Sequence, residues 1–412
     1  MKKWLISLIL IGLIHNPIAF ILSEKSGQLE LEGQSAILID ATSGTVLYHK
    51  EASKKLPPAS LAKIMTVYLA FHQGELDAIL TVSEEALHEV DRATSHIWLD
   101  VKEEVRLEEM GYAAMLTSAN DAALVLAHGI GQSQEVFVAE MNQMAANAGA
   151  KNTHFVNATG MVSEEQYTTV YDIAMITRMA MQDTDFSRVF GAVRFEVSPT
   201  NKMQEGRVFL TDHEMMKSGK NDYPSVTGGK AAWQEGTGYM LVTSAKQGDL
   251  ELIAVVMGNE TKQGQYDDTK KLLDYGFENY KTMVLTAQDT EPYYYELKKG
   301  KQVVATATFT MIHDFKILLK KDYIEELIKI TYEVRHTEPA AEMECWAILM
   351  MNQEKVGEQK MQGEITVTDT SFKAMWLPRI MIVIDGISAI TCIGFMGLFV
   401  YALFFKRKVK TE

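Results

Sequence analysis

Hydrophobic and polar positions along this chain change period twice. Ala36-Ile37-Leu38-Ile39-Asp40 and Thr45-Val46-Leu47-Tyr48 flank the turn-forming stretch Ala41 to Gly44, which predicts a β-hairpin. Apolar positions then repeat at helical spacing from Leu61 through Phe71 and stop near Gly74. A mixed stretch runs to Asp100. Helical periodicity returns over Leu107 to Leu116, breaks at Thr117-Ser118-Ala119-Asn120, and resumes from Asp121 to His128. Ser, Asn and Asp at such a break suit a loop that caps the next helix. Gln134 to Ala148 and Asp172 to Met181 complete a helical block.

From Val226 the pattern becomes that of strands: Val226 to Lys230, Gly238 to Ala245 and Leu250 to Met257, closed by a helix over Tyr266 to Phe277. Strands on either side of a central helical block predict an α+β layer arrangement. After about Tyr280 short alternating runs take over, such as Val303 to Phe309, Lys329 to Val334 and the more continuous Cys345 to Met351. They predict a second, smaller, β-rich domain that carries no obvious chemistry, serving as a spacer or, alternatively, a partner-binding surface.

The two ends differ from the body. Lys2-Lys3 followed by Trp4 to Ile14 has the charged and apolar parts of a secretory signal. Gly386 to Phe405 is twenty residues without a charge, long enough to span a bilayer core, and Lys406, Arg407, Lys408 and Lys410 follow it. The expectation is an exported body held at the outer face of a membrane by a C-terminal helix, with a cytoplasmic tail. A length of 412 residues accommodates two domains, and a net charge of −14 argues against a nucleic-acid partner. Cys345 and Cys392 are the only cysteines, and His72, His96 and His154 have no metal-ligand spacing, so no metal or other cofactor is expected. Tyr293-Tyr294-Tyr295 reads as a strand edge.

Candidate chemistry centres on Pro57-Pro58-Ala59-Ser60-Leu61-Ala62-Lys63. Spacing i, i+3 puts Ser60 and Lys63 on one helix face. A desolvated lysine can take the proton of a serine hydroxyl and make it a nucleophile; the plainer alternative is that Ser60 caps the helix and Lys63 is a solvated charge. Ser118 and Asn120 on the interhelical loop, and Lys230 on a strand, could share one cleft with them. A hydrolase that acylates its own serine needs about these parts: Ser60 as nucleophile, Lys63 as base, Ser118 as proton relay, Asn120 to hold a substrate amide, and Lys230 to hold a substrate carboxylate.

Ser60-Leu61-Ala62-Lys63, then Ser118-Ala119-Asn120, then a strand lysine, in that order, resemble the low-molecular-mass penicillin-binding proteins, the serine-type D-alanyl-D-alanine carboxypeptidases. Flanking text resembles them too: Leu38-Ile39-Asp40-Ala41 with Ser43-Gly44, Asn120-Asp121-Ala122-Ala123, Lys151 to Asn157, and Gly238-Tyr239. The resemblance covers roughly residues 34 to 280. It implies the penicillin-binding/β-lactamase-like transpeptidase fold, a cell-wall substrate ending in D-Ala-D-Ala, and acylation of Ser60 by β-lactams. It also implies that the backbone N–H of Trp233 joins that of Ser60 in stabilising the oxyanion. The domains would be a signal peptide (1–23), a catalytic domain (24–283), a β-rich domain (284–375), a transmembrane helix (380–405) and a tail (406–412).

One motif departs. Lys230-Ala231-Ala232 stands where the family has Lys-Thr-Gly. Lys217-Ser218-Gly219 has the right letters but lacks the strand-and-hairpin context. Loss of a hydroxyl to a substrate carboxylate costs about 1.5–3 kcal/mol, and an extra Cβ at the glycine position adds about 1–3 kcal/mol if the site cannot relax. A catalytically silent relative that binds cell-wall peptides or scaffolds partners is therefore the alternative, and a β-lactamase is a third reading.

Overall fold

A computed structural model describes residues 29–288, 290–299, 301–322, 328–337, 342–351 and 354–367. The expected signal peptide, transmembrane helix and tail lie outside the described residues. Among the described residues, no helix is long and apolar enough to cross a membrane. The chain divides into two compact units at Lys281/Thr282.

The first unit opens with the predicted hairpin, β1 (Ser35–Asp40) and β2 (Val46–Lys50). A 3₁₀ turn, Ala59–Ala62, runs directly into helix α1 (Lys63–Gln73). The mixed stretch contains β3 (Ile79–Thr81), α2 (Glu84–His88) and β4 (Glu104–Arg106). Then follow α3 (Leu107–Leu116), α4 (Asn120–Gly131), α5 (Gln134–Asn147), α6 (Val170–Ala180) and α7 (Thr184–Phe190). A small hairpin, β5 (Arg194–Val197) and β6 (Arg207–Leu210), leads to β7 (Val226–Gln234), β8 (Gly238–Gln247), β9 (Leu250–Asn259) and α8 (Lys262–Asn279).

Five strands form an antiparallel sheet in the order β2-β1-β9-β8-β7. Helix α8 packs on β8 and β9, and Gly276 lets it approach until an added Cβ would stand 2.5 Å from Leu252. Helix α6 packs on β1 and β9. Every residue of α1 from Lys63 to Phe71 is buried, with α3, α4, α5, α6 and α7 packed around it. An apolar helix surrounded on all sides is a core helix, which explains why its periodicity reads as nearly unbroken hydrophobicity. Strand β7 is the sheet edge that lies beside the 3₁₀ turn.

The second unit is built of β10 (Tyr280–Leu285), β11 (Tyr293–Lys299), β12 (Gln302–Thr310), β13 (Phe315–Lys320), β14 (Ile328–Thr337), β15 (Glu342–Met351) and β16 (Glu354–Val367). Five of these form a sheet in the order β11-β12-β16-β15-β14, and β10 pairs with β13. Its core gathers Ala307, Phe309, Met311, Cys345, Ala347 and Met361, with Ile317, Leu319 and Leu349 beside them. Tyr293 lies in a strand, as expected, its ring stacked on Tyr332 at 4.3 Å.

Two local expectations are corrected. Ser60 is not a helix cap: Pro58 occupies the N-cap position of the 3₁₀ turn and Ala62 that of α1, and neither makes a side-chain cap bond. The 3₁₀ turn continues straight into the α-helix, so no capping position exists at Ser60. The Thr117–Asn120 break likewise has Ala119 as an N-cap without a side-chain bond. Its polar side chains are committed elsewhere.

Candidate active site

Four chain segments converge where β7 meets the helical block. The first is the 3₁₀ turn. Ala59 has φ 47°, a left-handed conformation that a Cβ disfavours. It turns the backbone so that the Ser60 hydroxyl donates to the Ala231 carbonyl of β7 at 3.5 Å. Lys63 follows one turn later, only 1% exposed.

The second segment is the loop Asn157–Met161. The Lys63 ammonium donates to Thr159 O and to Asn120 Oδ1, both at 2.6 Å. Thr159 is held by Asn157, whose Oδ1 accepts from Thr159 Oγ1 (3.0 Å), Gly160 N (2.8 Å) and Met161 N (3.1 Å). Gln166 clamps the loop base, donating to Met161 O and accepting from Val156 N. Gly160 has φ +81°, and an added Cβ would lie 1.8 Å from Ala59 O. Only glycine fits there. These positioning residues were not singled out in the sequence. The signal available was the stretch Lys151 to Asn157, which shares the family resemblance but offers no catalytic side chain.

The third segment joins α3 to α4. Ser118 has φ 57°. Asn120 is the first residue of α4, and its amide nitrogen donates to Thr94 Oγ1 at 2.8 Å while its oxygen receives Lys63. The fully buried Asp121 carboxylate accepts from Ile97 N and Leu99 N, fastening the preceding loop to the helix start. The fourth segment is β7. Lys230 is 2% exposed and donates to Ala114 O (3.2 Å), Met115 O (2.9 Å) and Ser118 Oγ (3.0 Å). The two carbonyls belong to the C-terminal turn of α3, where a cation is favoured.

The structure thus brings together Ser60, Lys63, Ser118, Asn120 and Lys230, with Trp233 further along the same edge strand, 57% exposed. Lys217 lies apart, at the end of a 3₁₀ turn, its ammonium on Thr211 O. Ala231 and Ala232 pair with Leu241 and Met240 of β8. Ala232 is buried and belongs to the main apolar cluster. Among the described residues, no group of three or more His, Cys, Asp or Glu side chains could hold a metal.

Electrostatics set the two lysines. Burial pushes the Lys63 pKa well below the ordinary lysine value, and the Lys230 charge pushes it the same way; the Asp121 carboxylate opposes both. Burial lowers Lys230 to about 8, with Asp212 opposing. Burial makes each lysine give up its proton more readily than a solvated one. Behind β7, burial holds His213 down at about 4, so it stays neutral, bonded to Thr243 Oγ1 at 2.8 Å and packed against Gly229.

Comparison with known proteins agrees. A family profile described as D-alanyl-D-alanine carboxypeptidase matches residues 22–261. The chain is 31% identical over 341 residues to D-alanyl-D-alanine carboxypeptidase DacF of Bacillus subtilis, covering 81% of this chain and 85% of that one. It is 30% identical over 276 residues to DacC of Escherichia coli, covering 65% and 66%. Among solved structures it is similar to penicillin binding protein 5 of Haemophilus influenzae, with a TM-score of 0.68 and 25% identity, covering 82% of this chain and 98% of that one. A Streptomyces K15 DD-transpeptidase mutant gives a TM-score of 0.57 and 25% identity, with 61% and 99% covered. The α+β architecture is therefore that of the penicillin-binding proteins, and this chain belongs to the D-alanyl-D-alanine carboxypeptidase family of serine-type hydrolases.

Proposed function

We propose that the protein removes the terminal D-alanine from peptidoglycan stem peptides ending in D-Ala-D-Ala, through an acyl-serine intermediate on Ser60, and that β-lactams acylate the same residue. The observation that supports this reading is a run of contacts beside β7: Ser60 Oγ on Ala231 O, the buried Lys63 on Asn120 Oδ1, and Lys230 on Ser118 Oγ.

Lys63, neutral when its depressed pKa lies below the ambient pH, takes the Ser60 proton as Oγ attacks the carbonyl carbon of the penultimate D-Ala. The tetrahedral oxyanion forms between the backbone N–H groups of Ser60 and Trp233. Strand geometry supports the second donor. The N–H and C=O of one residue point to the same strand edge, and so do those of residue i+2. The Ala231 carbonyl points toward Ser60, so the Trp233 N–H emerges on that edge too. The proton that Lys63 took passes through the Ser118 hydroxyl to the leaving amine as the C–N bond breaks, which leaves Lys63 neutral. Water then attacks the ester, Lys63 accepts its proton, and that proton returns to Ser60 Oγ as the C–O bond breaks. Asn120 aligns the substrate amide. Lys230 contributes in a way the sequence alone did not suggest: with three acceptors around its ammonium, it orients Ser118 and sets a positive field at the place for the substrate carboxylate.

Ala231-Ala232 favours a second reading, a weakened or silent relative that binds cell-wall peptides. The packing reduces its weight. The Ala232 methyl lies in the apolar core, so the steric part of the expected cost falls away and the missing threonine hydroxyl at 231 remains. We further propose that the chain acts outside the cytoplasm, anchored by the apolar segment near its C-terminus; membrane fractionation and protease protection of the tail test this. Hydrolysis of a D-Ala-D-Ala peptide by the wild type, lost in Ser60→Ala, is the expected result. Undiminished turnover by Ser60→Ala would eliminate the mechanism. A wild type that binds but never turns over would favour the silent relative, and fast release of hydrolysed penicillin would favour a β-lactamase.

A further inference from the structure

Beside Asn120 the cleft has a rim, the loop Asp91–Asp100, and at its end stands Trp98. Its side chain is among the largest exposed apolar groups, 66% exposed, on a backbone with φ 60°. A bulky residue at positive φ is unusual, and such conformations gather at functional sites. The loop is not loose. The Asp121 carboxylate accepts from the peptide nitrogens on both sides, Ile97 N (3.0 Å) and Leu99 N (3.2 Å). Arg207 donates to Ile97 O (3.0 Å) and Trp98 O (3.3 Å), and is itself fixed by the buried Glu103 at 2.7 Å. The His96 ring packs edge-on against the indole at 4.2 Å, and the Arg92 guanidinium stands 5.9 Å from its centre. Buried charged groups thus hold an aromatic ring out in water. That arrangement makes sense if a ligand covers the ring.

The connection to the reacting centre is short. Ser95 O accepts from Asn120 N at 2.8 Å, and Asn120 also holds Lys63. Ser95 to Trp98 is three residues, a span of at most about 11 Å. An extended peptide advances about 3.3 Å per residue. A substrate with its reacting carbonyl at Ser60 comes within reach of the indole as it continues upstream of the scissile bond, whereas a dipeptide has nothing upstream of its acyl residue to offer the ring.

We propose that Trp98 is a specificity-determining residue, its indole stacking on the stem peptide upstream of the D-Ala–D-Ala bond, so that the enzyme selects extended stems over short peptides. This inference rests on the D-Ala-D-Ala reading of the cleft. The test uses the full chain carrying Ser60→Ala, with and without Trp98→Ala or Trp98→Phe. Each form is titrated calorimetrically with the pentapeptide L-Ala-γ-D-Glu-L-Lys-D-Ala-D-Ala and with the dipeptide D-Ala-D-Ala. Trp98→Ala should weaken pentapeptide binding about ten-fold, as for loss of an aromatic contact with its buried area. Dipeptide binding should stay within about two-fold, and Trp98→Phe should retain most of the pentapeptide affinity. An unchanged unfolding temperature controls for folding. Equal weakening of both probes, no weakening of either, or no pentapeptide binding at all overturns the proposal. Penicillin labelling of the chain with Ser60 intact reports the underlying reading separately. Labelling together with Trp98-independent binding defeats only the Trp98 inference; Trp98-dependent binding without labelling defeats only the hydrolase reading.

Discussion

The two units of this protein bury different things. Among the described residues, every buried polar or charged residue falls between Ser35 and Thr269, in the first unit, including Lys63, Lys230, Glu103, Asp121, Asp172 and His213. The core of the second unit is apolar: Phe309, Met311, Ile317, Leu319, Cys345, Leu349 and Met361, with the Cys345 thiol pushed up to about 11 by burial. Burying a charge is costly unless it is paired and hydrogen-bonded. The first unit meets that cost with dense bonding around each group and with left-handed backbone at Ala59, Trp98 and Ser118. The second unit, among the described residues, has no such buried charges, and strand pairing with an apolar core suffices there. The contrast points to the first unit as the place for chemistry, since two desolvated lysines lie there.

The comparison can be tested by attacking each unit in turn. The largest effect is expected from Lys63→Met, which keeps the bulk and removes the base. Acylation of Ser60 should fall about 10²–10⁴-fold, the usual worth of general-base help, measured by stopped-flow penicillin acylation. Next comes pH. The base must be neutral, so acylation should rise with pH through the depressed pKa of Lys63 and level off well below the ordinary lysine range. Lys230 must be charged, so the rate should fall again above about pH 8. In Lys230→Met the falling limb should vanish while the rising limb remains; a falling limb that persists would assign it to another group.

The altered strand gives a smaller change. Ala231→Thr should raise kcat/KM on a D-Ala-D-Ala peptide about 10- to 100-fold, the worth of one hydrogen bond to a charged group. Ala232→Gly should instead lower stability by about 1 kcal/mol, since its methyl is core packing, read by urea unfolding. If Ala232→Gly alone restored activity, the steric account would stand after all. The smallest effect should follow Tyr332→Ala in the second unit, which removes the stack on Tyr293. Unfolding of that unit should come earlier while the acylation rate of Ser60 stays within about two-fold.

Much of the first unit was legible in the sequence because its strongest signals are local. The hairpin of β1 and β2, helices α3 and α5, and strands β7 to β9 match runs whose period the residues set by themselves. The pattern gives no sign of helix α7 or of the hairpin of β5 and β6; Thr184–Phe190 is too short to show a period, and Arg194–Val197 has only four residues, one of them buried. Of the candidate site, the side chains proposed to do chemistry could be read from motif spacing. What could not be read is their bonding. Nothing local says that Lys63 points to Thr159 O, or that Lys230 is spent on the end of α3 and on Ser118, because those partners lie between 96 and 116 positions away in the chain. The plainer alternative of a Ser60 cap fails for the same reason. Pro57-Pro58 signals a helix start, but the start is a 3₁₀ turn shaped by the close approach of Gly160.

The central claim is that Ser60 is an activated nucleophile. The most direct measurement is to incubate the purified chain with a fluorescent penicillin and locate the adduct by peptide mass. One covalent adduct on the peptide containing Ser60, absent from Ser60→Ala and strongly reduced in Lys63→Met, is the predicted result. A folded protein that takes up no label, or takes it elsewhere, would contradict the account.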